Sequence, residues 1–448
     1  MLLAIASTCP VTIASELTIV VEIVIFCRTM DKNKSRTLIA LIIGLVFIFI
    51  TVATVAAKGG LDFSSYEWTE VNGNAGWAPR AGLQAVELRN RFYVLGGRTP
   101  NPTQINPFGS ILWDDIWESR DLGKTWTRVA AGPVANPQDP DSIWPARGYF
   151  QAITKGNAIF VLGGQDFSVA PNPDFPNNCP PAPVPCPPFI PNSTFFNDVW
   201  RSTDGTYWEQ LTASAPWEGR SGLSAIVFKG WIYILGGGKG DDVAIGGIGR
   251  QLFNDVWRSR DGRNWELVTD DAPWAARAGA AVVEKNGNIY LLGGEDGFLC
   301  DFGMGGLQCP YFNDVWRSSD GASWELVTAS AGWSPRPGHQ CQVLLDTIVC
   351  FGGFGFPSGD PSVPVHPSDV WVSRDGENWE QVSDAPWNAS SSADVKYDFD
   401  SIVVKGGPGG MRPSIFTFGG DREASFVAPD PMLVDNDVWR FSPPNPGR

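Results

Sequence analysis

The chain has 448 residues, 43% of them hydrophobic, with 33 basic against 48 acidic side chains and a formal net charge of −15. That length can bury a large core, and the acidic balance argues against nucleic acid or an anionic membrane surface as a partner; its plainest use is solubility. Only two histidines accompany eight cysteines, so disulfides are a better reading of the cysteines than zinc, and no cofactor is expected.

Residues 1–27 are apolar but carry Pro10, Glu16 and Glu22, and each carboxylate opposes membrane insertion by about 2–3 kcal/mol. A weak second span, a re-entrant stretch and sequence upstream of a true start at Met30 stand as alternatives. Residues 38–57 follow without a charge, long enough to cross a bilayer as a helix. Arg28, Lys32, Lys34 and Arg36 precede them and Lys58 follows, which places the N-terminus in the cytosol and the remainder outside or in a lumen. A cleaved signal peptide starting at Met30 and ending at Val55, Ala56 and Ala57 is the rival; the apolar length favours an anchor. The expected organisation is a cytoplasmic or unassigned segment at 1–36, a transmembrane signal-anchor at 37–58 and one folded domain at 61–448.

That domain is a repeat. Eighteen of the 20 tryptophans fall on three positions of a unit that occurs six times. The first is the Trp of an Asp-Val/Ile-Trp step (Trp117, Trp200, Trp257, Trp316, Trp371, Trp439). The second follows a Ser/Asp/Gly turn (Trp126, Trp208, Trp265, Trp324, Trp379). The third comes later still (Trp144, Trp217, Trp274, Trp333, Trp387). Trp68 and Trp77 stand at the front of the array. Each unit reads as four strands divided by Gly, Asn and Asp turns, with a Gly-Gly pair ending the second strand, as at Gly236 and Gly237. Self-similarity at this period predicts an all-β, six-bladed β-propeller. The last unit stops at its third strand, and an orphan strand around Trp68 precedes the first unit, so the N-terminal strand is expected to close the ring and remove two exposed edges.

The Gly-Gly pair after an apolar strand, followed by two spaced aromatics, resembles the kelch repeat in all six units, over the whole domain from about Tyr66 to Phe441. Ser119, Asp121, Gly123 and Trp126 also resemble the Asp-box turn of sialidases, which is a folding element and carries no activity by itself.

The cysteines support export. Cys179 with Cys186 and Cys300 with Cys309 each sit in the loop between second and third strands, while Cys341 and Cys350 flank a hairpin turn. Three sequence-local disulfides in an oxidising compartment follow. Asn192 and Asn388 head Asn-x-Ser/Thr glycosylation signals.

Alternate connections of an up-and-down blade lie on opposite faces. One face carries the long unlike loops, at 98–112, 165–195, 238–253, 295–312, 354–367 and 421–435, where binding specificity is expected. Five arginines, Arg80, Arg147, Arg220, Arg277 and Arg336, precede the innermost strands on that face. The resemblance implies that they line the channel mouth, as in kelch-domain adaptors that take acidic peptides, and so accept an anionic group. The sixth unit has Ser391 or a neighbour where the arginine belongs, leaving a gap in the rim. The competing reading pairs each arginine with the Asp of the Asp-Val/Ile-Trp step (Asp115, Asp198, Asp255, Asp314, Asp369) within the scaffold.

Enzymatic readings are weaker. Copper chemistry of the galactose-oxidase type needs two well-placed histidines and a Cys-linked Tyr, whereas His339 and His366 belong to one unit and no cysteine is spare. A sialidase needs a Tyr–Glu pair, and none stands out. Six-bladed kelch sialic-acid mutarotases are a closer analogy. Asp241, Asp242, Glu295, Asp296 and Asp301 are acidic loop residues that suit solvent better than Ca²⁺. The expected function is therefore a membrane-anchored, extracellular or luminal propeller that binds a glycan or a protein on its loop face. The alternatives are a carbohydrate-active enzyme (mutarotase or glycosidase) and a structural subunit of a membrane assembly.

Overall fold

The computed structural model describes residues 62–100, 110–130, 144–181, 186, 188–240, 251–296, 301–303, 306–308, 311–355, 367–385, 396–406, 412–422 and 433–444. All but Asp62 belong to one compact unit, Phe63–Arg448. The apolar stretch 38–57, Cys300, Cys309, Asn388, Ser391, His366, Asp241 and Asp242 lie outside the described residues. Among the described residues, no helix is long and apolar enough to cross a membrane.

Short alternating runs flanked by glycine and aspartate turns fold into six four-stranded antiparallel sheets. In the third blade the strands are Ser224–Phe228, Trp231–Leu235, Val256–Ser259 and Trp265–Thr269, paired in sequence order. The second strands are apolar and buried along their length, as in Ala158–Leu162, because both of their faces meet a neighbouring blade. The innermost strand of each blade contacts the innermost strand of the next, and Asp400–Val404 of the last blade contacts Gln84–Leu88 of the first. The ring is closed.

Closure is made by the orphan strand. Glu67–Asn72 pairs antiparallel with Val434–Ser442, with Trp68 opposite Phe441 and Glu70 opposite Trp439. The sixth blade is thus completed by the start of the domain, and its sheet has no unpaired third strand.

Six apolar cores lie between the blades, one at each interface. The core between blades two and three joins Phe160, Leu162 and Val199 to Leu223, Ile232 and Ile234, with Trp217 beneath. Tryptophans at the third position of one unit meet those at the second position of the following one almost at right angles. Trp217 and Trp265 are 5.8 Å apart at 79°, and Trp274 and Trp324 are 6.0 Å apart at 85°. Such edge-to-face pairs add about 0.5–1.5 kcal/mol each beyond their area, which explains why tryptophan recurs at both positions.

The outer turns are small closed hydrogen-bond nets. In blade three, Gly262 N–H donates to Ser259 Oγ at 2.8 Å, Asp261 Oδ1 accepts from the N–H of Arg263 and Asn264, and Trp265 Nε1 donates to Gly262 O. Gly262 has a φ of +79°, and a Cβ there would come within 2.7 Å of Leu211, so glycine is required both for conformation and for space. Cys341 and Cys350 face each other across a hairpin and form one disulfide; Cys179 and Cys186 form a second within the loop between second and third strands of blade two. Two disulfides suit an oxidising extracellular or luminal environment.

Candidate functional site

The five arginines do not form an open rim. Their side chains are 0–2% exposed, and each is paired with the aspartate of its own blade. Arg220 shows the pattern. Its Nη1 and Nη2 donate to Asp255 Oδ1 and Oδ2 at 2.5 and 2.9 Å, Nη1 also to Gly236 O, and Nε to Glu218 O. The ring of Phe253 covers the guanidinium at 3.9 Å. Asp255 Oδ2 in turn accepts from Trp257 Nε1, which ties the first repeated tryptophan to the same node. Arg80, Arg147, Arg277 and Arg336 bond Asp115, Asp198, Asp314 and Asp369 in the same two-pronged way. The guanidiniums are committed to the scaffold, because a buried arginine must have its charge and its N–H groups matched.

The expected gap in the sixth blade is filled. Lys396 occupies the arginine's position with its side chain buried, and its Nζ lies 2.6 Å from Asp437 Oδ1 and 3.4 Å from Asp435 Oδ2. Trp439 Nε1 donates to Asp437 as its counterparts do to theirs.

Two residues beyond each of these cations the chain turns through positive φ around the axis. Gly82, Tyr149, Gly222, Gly279, Gly338 and Asp398 have φ between 51° and 63°. Each N–H donates to the carbonyl of its counterpart in the preceding blade, at 2.8–3.3 Å, and Gly82 donates to Asp398 to finish the circle. Four positions are glycine, as left-handed backbone favours. Tyr149 and Asp398 are not, and bear side chains where the repeat calls for none.

Those side chains meet. Tyr149 Oη donates to Asp398 Oδ2 at 2.8 Å and accepts from Arg98 Nε at 3.1 Å, and Arg98 Nη2 donates to Asp421 Oδ2 at 2.9 Å. Arg98 and Asp421 are the residues directly after the Gly-Gly pairs of blades one and six. The same position holds Gln165, Gly238, Glu295 and Phe354 in the other blades. Arg98, Asp421 and Tyr397 are buried, whereas Tyr149 and Asp398 are partly exposed. A chain of ionisable groups therefore runs from a buried Arg98–Asp421 ion pair to a tyrosine and a carboxyl within reach of solvent, all on the adjacent blades six, one and two.

Burial pushes the Asp398 carboxyl up to about 7, helped by the negative charges of Asp421 and Glu295 and opposed by Tyr149 and Arg98. Burial also raises Tyr149 and Tyr397 well above the ordinary phenol range. Arg98 stays charged, because the groups around it, Asp421 among them, outweigh the cost of burial. At neutral pH the site thus holds a fixed cation–anion pair, two neutral phenols and one carboxyl poised between its two forms.

Below the mouth the channel wall is stitched by side chains. Gln84 Oε1 accepts from Ala152 N–H, Ser224 Oγ donates to Ala280 O, Gln340 Nε2 donates to Phe399 O, and Asp400 Oδ2 accepts from Ala85 N–H at 2.6 Å. Burial pushes Asp400 up to about 7 as well. Its folded value exceeds its unfolded one, near 3.9, so between those values the unfolded chain releases a proton that the native state keeps. Stability should fall as pH rises from about 4 to 7 and level off above. Thermal melts from pH 4.5 to 8.5 should show that decline in the intact protein and a shallower one in Asp400→Asn; equal slopes would refute the assignment.

The remaining expected residues stand apart from this cluster. His339 is buried against Trp333 and held down to about 3, chiefly by burial and then by the Arg336 charge, so it stays neutral. Asn192 is exposed on the loop of blade two. Among the described residues, no group of three His, Cys, Asp or Glu side chains could hold a metal ion.

Fold and mouth together define a six-bladed β-propeller whose axis opens, at the loop end, onto a chain of ionisable side chains. The protein is similar to the solved structure of YjhT, with a TM-score of 0.51 and 16% identity over 82% of this chain and 96% of that one. At that identity the likeness carries the architecture alone, and 446 solved chains match in structure, as befits a widely reused fold. No family model and no curated protein matches the chain.

Proposed function

We propose that this protein is a kelch-type propeller held on the outer or luminal side of a membrane by residues 37–58, and that it binds a glycan on its loop face. The observation that carries the reading is the break in the repeat at the mouth. Arg98, Tyr149, Asp398 and Asp421 replace small or unlike residues on adjacent blades and bond to one another, with Tyr397 buried beside them. Tyrosine and a carboxyl near neutrality can each donate and accept, which suits sugar hydroxyls. The aromatic rings of Tyr149 and Phe167, 5.5 Å apart, add an apolar wall. Kelch membership is supported by the Gly-Gly pairs and by the Trp–Asp–Arg node of five blades, kept with Lys396 in the sixth, and the placement by the two disulfides together with the basic residues before position 37. An extracellular protein ligand is the other occupant of the same face.

The Tyr149–Asp398 pair favours a second reading, a sugar mutarotase, since a carboxyl near its midpoint can give and take a proton at neutral pH. One experiment separates the two. On a glycan array, the intact protein should bind glycans that Tyr149→Phe and Asp398→Asn bind at least tenfold more weakly, with melting temperatures close to the parent's. Binding should also titrate near pH 7 and lose that titration in Asp398→Asn. Accelerated anomer exchange of a bound reducing sugar, abolished in Asp398→Asn, would establish the enzyme instead. Unchanged binding in both variants would remove the mouth as the site.

A further inference from the structure

Charge is divided unevenly between the two ends of the ring. The six loops around the mouth, at 98–112, 165–195, 238–253, 295–312, 354–367 and 421–435, hold 12 acidic and 4 basic residues. The hairpin turns lie at the other end. Those between first and second strands span 88–91, 155–158, 228–231, 285–288, 344–347 and 404–414, and those between third and fourth span 119–126, 202–208, 259–265, 318–324 and 373–379. Together the turns hold 12 basic and 7 acidic residues. The loops thus carry a net −8 within a chain total of −15, and the turns carry the opposite sign.

The mouth shows the same excess. Its guanidinium, Arg98, is held by Asp421 at 2.9 Å and donates to Tyr149 Oη at 3.1 Å. Asp398 accepts from the neutral Tyr149 phenol. Asp421 and Glu295 both bear on Asp398 as negative charges, and Glu295 is buried in blade four at the position that Arg98 and Asp421 hold in theirs. One cation thus stands among three carboxyls. Among the described residues, the other loop-face cations are already matched. Lys239 pairs with Glu218, Arg422 with Asp435, and the six buried node cations with their aspartates. Beside the carboxyls stand the rings of Tyr149 and Phe167. A π face attracts a cation within about 6 Å of its centre, and the Tyr149 ring meets the Arg98 guanidinium at 5.8 Å.

We propose that the mouth takes a protonated amine, and that its glycan is an amino sugar whose nitrogen is not acetylated. The proposal rests on the reading of the mouth as a glycan site and adds the sign of the ligand's charge. An ammonium group brings only donors, and its bonds to carboxylates are charge-assisted. The Asp398 carboxyl, pushed up to about 7 by burial, ionises more readily beside a cation. The negative loops draw cations toward the axis, whereas a uronate or other acidic sugar meets like charges there. Acetylation of the nitrogen removes the charge and with it the preference. The sign is opposite to the one the five arginines suggest, because their guanidiniums are neutralised within the scaffold.

The test is calorimetric titration of the intact protein at pH 7 with the trimers of glucosamine, N-acetylglucosamine and galacturonate, and with trilysine. The glucosamine trimer should bind about tenfold more tightly than its acetylated counterpart, and more weakly as salt rises. That preference is read on the parent protein alone. Asp398→Asn and Glu295→Gln keep size and remove charge, and each should narrow the preference roughly fivefold. The affinity for the acetylated trimer should stay nearly constant in both, a split that a merely structural role would not produce. Glu377→Gln, which removes a charge from an exposed turn at the other end of the ring, should alter neither affinity. Equal binding of the two glucosamine trimers, or tighter binding of galacturonate, overturns the charge assignment and leaves the glycan reading standing. Binding of trilysine but of no sugar replaces the glycan with a basic protein and overturns both. Binding of none of the four, with none on the glycan array, also overturns both.

Discussion

Removal of residues 61–72 from the intact protein should destabilise the whole propeller, with a fall in melting temperature and in urea midpoint for a single transition rather than the loss of one small phase. The strand Glu67–Asn72 is the outer strand of the sixth blade, not an appendage. Trp68 packs on Phe441 at 5.0 Å and on Phe351 at 5.4 Å, and Phe63 and Tyr66 are buried in the core shared by blades five and six. Burial of each such side chain contributes about 2 kcal/mol, so several kcal/mol are at stake, a large share of a typical net stability of about 5–15 kcal/mol. Its removal also leaves Val434–Ser442 as a bare edge, and the variant should self-associate. The corresponding control is Tyr207→Ala, which truncates an exposed side chain on an outer turn. A deletion variant that melts like the parent and stays monomeric would refute closure by the first strand.

The architecture was legible because its signals are local and recur. A Gly-Gly pair, an Asp-Val/Ile-Trp step and a Ser-x-Asp turn each settle a few residues of backbone, and six copies identify the fold even though any one copy is ambiguous. The closing strand followed from the missing fourth strand of the last unit. The disulfide Cys341–Cys350 could be anticipated because the two residues sit the same distance from a hairpin turn. The mouth was not legible, for the converse reason. Attention to what recurs led to the arginines, and residues that recur in every blade serve what every blade needs. Asp398 and Tyr149 occupy a ring position that is otherwise glycine, and Arg98 and Asp421 follow Gly-Gly pairs where the other blades differ. Aligning the units on those glycines, and reading the positions that disagree, would have drawn Arg98, Tyr149, Asp398 and Asp421 together. Lys396 was missed because it keeps the charge of the arginine without its identity.

Arg220→Ala tests the same distinction energetically. Truncation leaves Asp255 largely buried, without its two-pronged partner, and removes the donors to Gly236 O and Glu218 O. Breaking one side of a buried pair costs about 3–5 kcal/mol, so chemical denaturation should show a loss of that order. Arg220→Lys should lose less, because Lys396 serves the same node in blade six with one ammonium. Adding Asp255→Asn to Arg220→Ala should recover part of the loss, since the neutral amide carries no stranded charge and its oxygen can still accept from Trp257 Nε1. If instead Arg220→Ala melts like the parent but loses the glycan that the parent binds, the guanidinium was free to serve a ligand and the buried pair was not holding the blade. A stability loss with partial recovery in the double variant assigns the arginines to the scaffold, and leaves recognition to the few side chains that depart from it.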